Sequence, residues 1–321
     1  MAQGQSGVSG EAGGGALTGM AALFVAAALL GFAPILVKAS ELGPHAIAFW
    51  RLALALPVLL VWLVIDRSRS RARRAQPVTR PPGMKMLLLA GVFFAGDLAF
   101  WHTGIKITTA ANATLLANLT PIPVTIAALV LFGERINARF VLAGGLALAG
   151  AGLLSAANFQ LAPERLPGDV LSALTACWYA AYFLAVRAAR RAGAATVQVM
   201  FWSTLVASPI ALLVVTGFGE PLLPDTAAGW WPLLGLGVVA HVAGQGGVAF
   251  GLGRTPAALA SLIILVQPVV AAGAGWWFFD EALGPLQWAG AGLVLLGVYA
   301  AQRVRPGVRP LSTPAAPPGK S

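Results

Sequence analysis

Ten apolar runs, each close to twenty residues long, divide most of this chain. A helix needs about 20 apolar residues to cross the roughly 30 Å hydrocarbon core of a bilayer. Only 10% of the residues are charged, against about 25% in soluble domains. We therefore expect an all-α integral membrane protein with ten transmembrane helices, called spans 1 to 10. They are predicted at residues 17–38, 46–65, 85–105, 109–132, 138–157, 168–187, 196–217, 229–250, 256–279 and 285–302.

Basic residues cluster in the connections between these runs, and their distribution predicts the orientation. Cytoplasmic connections of membrane proteins carry an excess of Lys and Arg. The connection between spans 2 and 3 is the richest in them, so its side is predicted to be cytoplasmic, together with both termini. The net charge of +10 then reflects membrane topology, and the expected partner is a lipid bilayer rather than nucleic acid. The basic residues of that connection are Arg67, Arg69, Arg71, Arg73, Arg74, Arg80 and Lys85.

The second half of the chain repeats the first. Because apolar residues match by chance in such a chain, matched Pro, Glu and Gly residues at constant spacing count for most. A shift of 147 residues carries span 4 onto span 9, and a shift of 152 carries span 2 onto span 7. The repeat unit is therefore five helices, and since five is odd, the second copy must cross the membrane inverted. Inverted repeats are a recurring design of secondary transporters. The matches are Pro121 with Pro268, Phe132 with Phe279, Glu134 with Glu281, Gly145 with Gly292, Gly150 with Gly297, and Phe49-Trp50 with Phe201-Trp202.

The domain organisation follows from this repeat. The first copy is predicted at residues 17–157 and the second at residues 168–302. Residues 1–16 are rich in Gly and Ser, and residues 303–321 are rich in Pro with several basic residues. Such compositions bury too little apolar surface to fold, so we expect a disordered lead and a disordered basic cytoplasmic tail.

Both copies end with the same pair of helices. A helix with a central Pro ends in "LFGER" in the first copy and in "FFDEA" in the second, and a Gly-rich helix follows each. With these features the chain resembles the EamA-type members of the drug/metabolite transporter superfamily, over about residues 17–302. The stretch "DLAFWHTGIKITTAANATLLANLTPIPV" is similar to bacterial members in particular.

The resemblance implies a function as well as a fold. It implies a carrier in the bacterial inner membrane that moves a small organic solute, such as an amino acid, another metabolite or a drug, through a central cavity by alternating access. Export is favoured over import by the resemblance alone, and no cofactor is expected.

Asp97 is the most unusual residue of the apolar runs. It lies about twelve residues into span 3, close to the bilayer midplane at 1.5 Å per residue. A charged Asp there costs several kcal/mol unless it is paired, protonated or facing water. Arg51 in span 2 is the predicted partner, while the equivalent residues of the second copy are Ser203 and Gly244. Two interpretations stay open: a cavity-lining site for substrate or for a coupling proton, or a buried structural pair that joins spans 2 and 3.

Other polar and aromatic residues lie at mid-depth in their spans and are candidates to line the cavity. His241 titrates near neutral pH as a free side chain and is a candidate substrate contact or proton site, with a hydrogen-bonded packing role as the alternative. His102, beside Trp101, is interpreted as an interfacial residue. The remaining candidates, each with packing as the alternative, are Gln245, Asn118, Gln267, Trp178, Tyr179 and Tyr182.

Two pairs of equivalent residues have predicted structural roles. Pro121 and Pro268 are predicted hinges, since proline frees a backbone carbonyl and permits a bend. Glu134 and Glu281 are predicted to act structurally at helix ends, each beside the N-terminus of the following helix, where the helix dipole favours an acid.

Rival functions are less well supported. A membrane-embedded enzyme would need a nucleophile–base set, and neither that nor the spacing of a metal site is present in the sequence. A phosphorylated-metabolite or nucleotide-sugar exchanger would need paired basic residues deep in the cavity, and only Arg51, with Lys38 near a span end, is available. The small residues of spans 5 and 10 suit close helix packing or a subunit contact, so a homodimer stays open.

Overall fold

The computed structural model describes residues 6–73, 83–156, 162–279, 282–304 and 307–308. Within these ranges nine helical segments are long and apolar enough to cross a membrane. The helix Pro285–Val304 supplies the tenth span, and its mean hydropathy is reduced by Gln287, Gln302 and Arg303 near its ends. The predicted all-α fold of ten membrane helices is confirmed.

Five spans are single helices and five are interrupted. The single helices are Met84–Ile107 (span 3), Ala138–Ala156 (span 5), Leu166–Arg191 (span 6), Thr196–Phe218 (span 7) and Pro285–Val304 (span 10). The interrupted spans are Ser6–Gly31 with Ala33–Lys38 (span 1), Pro44–Ala53 with Ala55–Arg73 (span 2), Ala110–Ala117 with Pro121–Phe132 (span 4), Trp230–Gly235 with the π-helix Leu236–Gln245 and Gly246–Leu252 (span 8), and Ala257–Ile264 with Val266–Phe279 (span 9).

The interruptions of spans 4 and 9 coincide with the predicted hinge prolines. Pro121 opens the second helix of span 4, and Pro268 lies in the first turn of the second helix of span 9. Since proline has no N–H to donate, the carbonyl four residues earlier loses its helical partner at both places. Movement at these positions remains a prediction.

The two ends of the chain differ from the composition-based expectation. Span 1 begins at Ser6, so residues 6–16 continue its helix, which satisfies their backbone groups internally; residues 1–5 lie outside the described part. In the tail, Gly307–Val308 forms a short antiparallel ladder with Glu134–Arg135. The expected disorder is therefore wrong for 6–16 and for these two tail residues, and the rest of the tail beyond Val304 lies outside the described residues.

Contacts between spans are preserved when the two copies are exchanged. Spans 1, 3 and 4 of the first copy correspond to spans 6, 8 and 9 of the second. Span 3 packs against span 6, and the corresponding span 8 packs against span 1; likewise span 4 packs against span 6, and span 9 packs against span 1. The same small residues make these approaches close. A Cβ atom on Gly168 would lie 3.0 Å from the Gly104 carbonyl oxygen, and one on Gly251 would lie 3.0 Å from the Gly19 carbonyl oxygen. The two copies therefore have the same arrangement of packed helices.

Spans 5 and 10 are equivalent helices that pack against each other. A Cβ on Gly150 would lie 2.6 Å from the Gly290 carbonyl oxygen, and one on Gly297 would lie 2.7 Å from the Ala143 carbonyl oxygen. These small residues therefore serve close helix packing within the chain. A subunit contact remains a separate prediction.

The connections between spans alternate between two membrane faces. We call the face that holds the connection between spans 4 and 5 the Glu134 face, after the residue in that connection. The opposite face, which holds the connection between spans 7 and 8, is the Glu220 face. The candidate site lies between them.

Candidate functional site

A cavity of about 170 Å³ lies between the helices of the bundle. A dry cavity of about 150 Å³ in another protein holds benzene, so this space suits a small organic solute. Spans 1, 2, 3, 4, 6, 8 and 9 supply its walls. The apolar and aromatic part of the lining includes Leu30, Pro34, Phe94, Trp101 and Phe183, and the polar part includes Arg51, Asp97, His102, Asn118, Tyr179, Gln245 and Gln267.

The cavity is displaced from the middle of the bundle toward the Glu220 face. In span 4 the lining runs from Thr114 to Pro121 and includes no residue of the half that leads to the Glu134 face. In span 2 it includes only residues between Ile47 and Arg51, close to the helix start at Pro44. The half of the bundle at the Glu134 face thus supplies no lining residue from spans 2 and 4.

Asp97 and Arg51 line this cavity together but do not touch. Among the described residues neither forms an ion pair or a hydrogen bond, although each charge influences the other. The guanidinium carbon of Arg51 lies 6.0 Å from the centre of the Phe94 ring, and its Nε atom is buried with no hydrogen-bond partner in the described part of the chain. Asp97 is 9% exposed. The two side chains thus share the cavity without a direct ion pair, and their role as a cavity-lining site remains a prediction.

The interruption of span 4 places a second unpartnered donor at the cavity. Pro121 has no N–H to donate to the Ala117 carbonyl, which instead accepts from the Thr120 N–H at 3.1 Å and from the Thr120 hydroxyl at 2.7 Å. Asn118 is therefore not needed for that carbonyl. Its Nδ2 atom is buried and has no partner among the described residues, and Asn118 lines the cavity.

The polar groups that the second copy contributes are partnered. The Tyr179 hydroxyl lies 3.4 Å from Oε1 and 3.3 Å from Nε2 of Gln245, which joins spans 6 and 8 across the cavity. Gln267 Nε2 reaches the Leu30 carbonyl oxygen at 3.5 Å. These side chains have hydrogen-bond partners, whereas Asp97 and Arg51 have none among the described residues.

Three of the predicted cavity residues lie outside the lining. His241 is 1% exposed, and its Nε2 atom lies 2.8 Å from the Thr204 hydroxyl, so it packs between spans 7 and 8. Tyr182 is buried against Phe94, with ring centres 4.9 Å apart. Trp178 packs against Gly96, where a Cβ would lie 2.5 Å from its ring. Burial between helices, rather than depth in the membrane, excludes them.

His102 is a cavity residue that the sequence analysis missed. It lines the cavity and is 3% exposed, and its Nδ1 atom lies 2.7 Å from the Leu98 carbonyl oxygen. The expected interfacial position is therefore wrong. The neighbouring Trp101, which also lines the cavity, suggested an interface because Trp is enriched near the ends of spans.

The Glu134 face carries a buried ion pair, called here the inner latch. Glu134 is fully buried, and one carboxylate oxygen lies 3.2 Å from Nη2 of Arg187 in span 6. The carboxylate also accepts hydrogen bonds from the N–H groups of Ala257 at 2.8 Å and Ala258 at 3.2 Å. Arg187 donates in turn to the Leu252 carbonyl at 2.9 Å. The latch joins the end of span 4 to spans 6, 8 and 9.

The expected helix-end role of Glu134 needs a correction. Its carboxylate caps the N-terminus of span 9 in the other copy, rather than that of the following span 5, since the N–H groups of Ala257 and Ala258 point to it. Glu281 lies outside the described residues, so its predicted role is untested.

The Glu220 face carries a second cluster, called here the outer cluster. Glu220 lies 2.8 Å from Nδ1 of His45, accepts from the Ala46 N–H at 2.9 Å and forms an ion pair with Lys106. Burial raises the pKa of the Glu220 carboxyl, but the hydrogen bonds from Lys106, Ala46 and His45 outweigh it and lower the pKa to about 2. Spans 2 and 3 are thereby fastened to the connection between spans 7 and 8.

Comparisons with known proteins agree with this architecture. An uncharacterized transporter of Archaeoglobus fulgidus is 26% identical over 287 residues, which cover 89% of this chain and 96% of that protein. The pseudopaline exporter CntI of Pseudomonas aeruginosa is 27% identical and is covered over 90% of its length, with 84% of this chain. The aromatic amino acid exporter YddG of Ancylobacter novellus is 26% identical over 57% of this chain and 62% of its own length.

The fold is also found among solved structures. One crystal structure, 20% identical in sequence, superposes with a TM-score of 0.75 over 89% of this chain and 97% of that one. The EamA-like transporter family matches each five-helix copy separately, at residues 17–156 and 166–301. The chain belongs to the EamA-like transporter family and is a membrane transporter of small molecules, not an enzyme.

Proposed function

We propose that the protein exports an amino-acid-like metabolite or a drug across the bacterial inner membrane by alternating access. The observation that carries this proposal is a solute-sized cavity on the Glu220 side of the bundle, together with the buried inner latch at the Glu134 face. Two exporters among the relatives support the direction of transport.

The charges at the two faces support an orientation with both termini in the cytoplasm. Basic residues are more frequent at the Glu134 face, and the positive-inside rule assigns that face to the cytoplasm. The cavity then faces the periplasm, the state from which an exporter releases its solute. The basic residues of the Glu134 face within the described residues include Arg135, Arg139, Arg190, Arg191, Arg254 and Arg303, and those of the Glu220 face include Lys38, Lys106 and Arg165.

In this proposal the protein alternates between a conformation closed at the cytoplasmic side and one closed at the periplasmic side. Opening the cytoplasmic side separates Glu134 from Arg187 and from the start of span 9, while the periplasmic side closes over the cavity. The interruptions beside Pro121 and Pro268 give spans 4 and 9 equivalent positions at which to bend. Such rocking of two inverted copies around a central site is a common transporter design.

A proton is the proposed coupling ion, with Asp97 as its site. The support is a cavity-facing carboxylate that has no hydrogen-bond partner among the described residues, since intramembrane acids commonly serve proton transfer.

A homodimer also remains a proposal, to be tested by the mass of the purified complex. A phosphorylated-metabolite or nucleotide-sugar exchanger is disfavoured, because Arg51 is the only Lys or Arg among the described lining residues.

Solute flux into proteoliposomes tests the proposal. Wild-type protein should move at least one amino acid or drug, faster with a pH gradient than without it. Asp97→Asn should remove the response to the gradient, while Ser203→Ala, at a position equivalent to Arg51, should keep it. Movement of no solute under any gradient would contradict the transport function, and an unchanged pH response in Asp97→Asn would contradict the proton site.

A further inference from the structure

The cavity contains one cation and one anion that are held apart. Arg51 and Asp97 project from spans 2 and 3 into the same space, and among the described residues neither has an ion-pair partner. They are also the only Lys, Arg, Asp or Glu in the described lining. The walls therefore carry one basic and one acidic side chain.

Such an arrangement is costly when the cavity is otherwise empty of partners. A buried charge without a partner costs several kcal/mol. A direct ion pair would remove most of that cost, yet no nitrogen of Arg51 lies within 4.0 Å of an Asp97 oxygen. The separation leaves each group available to a solute that enters between them.

Arg51 and Asn118 together favour a carboxylate. The Nε atom of Arg51 and the Nδ2 atom of Asn118 are both buried donors without partners in the described part of the chain. A guanidinium binds a carboxylate through two parallel hydrogen bonds, and an amide N–H can add a third. Asp97 has the opposite need, because an ionised carboxylate only accepts hydrogen bonds and pairs best with an ammonium group.

The rest of the cavity lining indicates the chemical character of the uncharged part of the solute. Phe94, Trp101, Leu30 and Pro34 present apolar surface to the cavity. Tyr179 and Gln245 bond to each other, so they make little demand for further polar groups. An apolar or aromatic side chain fits this part of the lining.

We propose that the site selects zwitterions: Arg51, with Asn118, holds a carboxylate, Asp97 holds an ammonium group, and an apolar side chain packs against Phe94 and Trp101. This inference rests on the proposed transport function and narrows it from amino-acid-like solutes or drugs to solutes that carry both charges. Arg51 and Asp97 are then specificity-determining residues with separate tasks.

The test uses solutes that differ by one charged group. Phenylalanine carries both groups, phenethylamine lacks the carboxylate and 3-phenylpropionate lacks the ammonium; leucine, isoamylamine and 4-methylpentanoate form a second set. Binding to the purified full-length protein is measured by thermal stabilisation, and flux is measured in proteoliposomes. Since a hydrogen bond to a charged group contributes about 1.5–3 kcal/mol, each zwitterion should bind at least about tenfold more tightly than its two analogues.

The variants separate the two tasks. Arg51→Gln should abolish the preference for the zwitterion over the amine and keep the preference over the acid. Asp97→Asn should do the reverse. Arg51→Lys keeps the positive charge and replaces Arg51→Gln if that variant folds poorly; it should retain part of the preference over the amine. Ser203→Ala is the matched control and should change neither.

Three outcomes are distinguishable. Equal binding of zwitterions and single-charge analogues, or binding of no zwitterion in either set, would overturn the inference. Loss of both preferences in both variants would overturn the separate tasks. Zwitterion binding without any flux would support the site and count against the transport function instead.

Discussion

The two five-helix copies share a scaffold and differ in the chemistry of their cavity walls. The first copy places Arg51 and Asp97 at the cavity, while the second has Ser203 and Gly244 at the equivalent positions. The Ser203 hydroxyl donates to the Val199 carbonyl of its own helix at 2.7 Å. A Cβ on Gly244 would lie 3.0 Å from a Leu30 side-chain atom, so helix packing occupies the place of an acid.

A second difference concerns the helices that hold these residues. Span 3 is a continuous α-helix, Met84–Ile107, around Asp97. Its counterpart, span 8, is a π-helix over Leu236–Gln245. π-Helical segments are rare in proteins, and those that occur are often found at functional sites. Leu98 and Gln245, which are equivalent, both line the cavity, so equivalent positions face it with side chains of different polarity.

The largest expected effect comes from breaking the shared scaffold. Gly150→Val should prevent folding of most of the protein, because a Cβ there would lie 2.5 Å from the Val294 backbone nitrogen and spans 5 and 10 would have to separate. Gly145→Val on the same helix meets nothing within 4 Å and should fold normally. The fraction of monodisperse protein after extraction in detergent measures both, and equal yields would contradict the described packing of spans 5 and 10.

Removing one partner of the inner latch should have the next largest effect. Arg187→Met leaves the buried Glu134 carboxylate without its cation, which costs about 3–5 kcal/mol. Thermal unfolding of the purified protein should show a large loss of stability. Arg191→Met, an exposed residue whose guanidinium carbon lies 5.4 Å from the Phe132 ring centre on the same face, should show a small one. Adding Glu134→Gln to Arg187→Met should recover part of the loss; no recovery would mean that the pair is not coupled.

The outer cluster should show a distinctive pH dependence. Because the pKa of Glu220 falls from 4.5 to about 2, its carboxylate stabilises the fold fully above pH 4.5 and loses this effect as the pH falls toward 2. The difference in melting temperature between wild type and Glu220→Gln should stay constant from pH 8 to 5 and shrink below. A difference that already disappears between pH 6 and 5 would show that the Glu220 pKa is not lowered.

Ser203→Ala should have the smallest effect. Among the described residues its hydroxyl donates to two carbonyls of its own helix, those of Val199 and Met200. Stability should therefore change by less than about 0.5 kcal/mol, and flux should be unchanged. A loss of flux as large as that of Arg51→Gln would mean that both copies contribute equally to the site, which would remove the asymmetry described above.

The sequence predicts the scaffold well because hydropathy and the repeat are local or periodic signals. Ten spans, their inversion and the interruptions beside Pro121 and Pro268 all follow from patterns along the chain. Site geometry depends on which side of a helix faces which neighbour. His241 and Tyr182 lie at the predicted depth but pack between helices, and the pairing of Glu134 with Arg187 or of Glu220 with His45 joins residues too distant in sequence for any pattern to connect.

The central claim is that one cavity is open to the two faces in turn, and the accessibility of Asn118 tests it most directly. A single cysteine, Asn118→Cys with Cys177→Ala, is labelled by a membrane-impermeant maleimide added to either side of vesicles of known orientation. We predict rapid labelling from the Glu220 face, little from the Glu134 face, and new labelling from the Glu134 face once Arg187→Met weakens the inner latch. Equal labelling from both faces with the latch intact, or no change on weakening it, would contradict alternating access through this cavity.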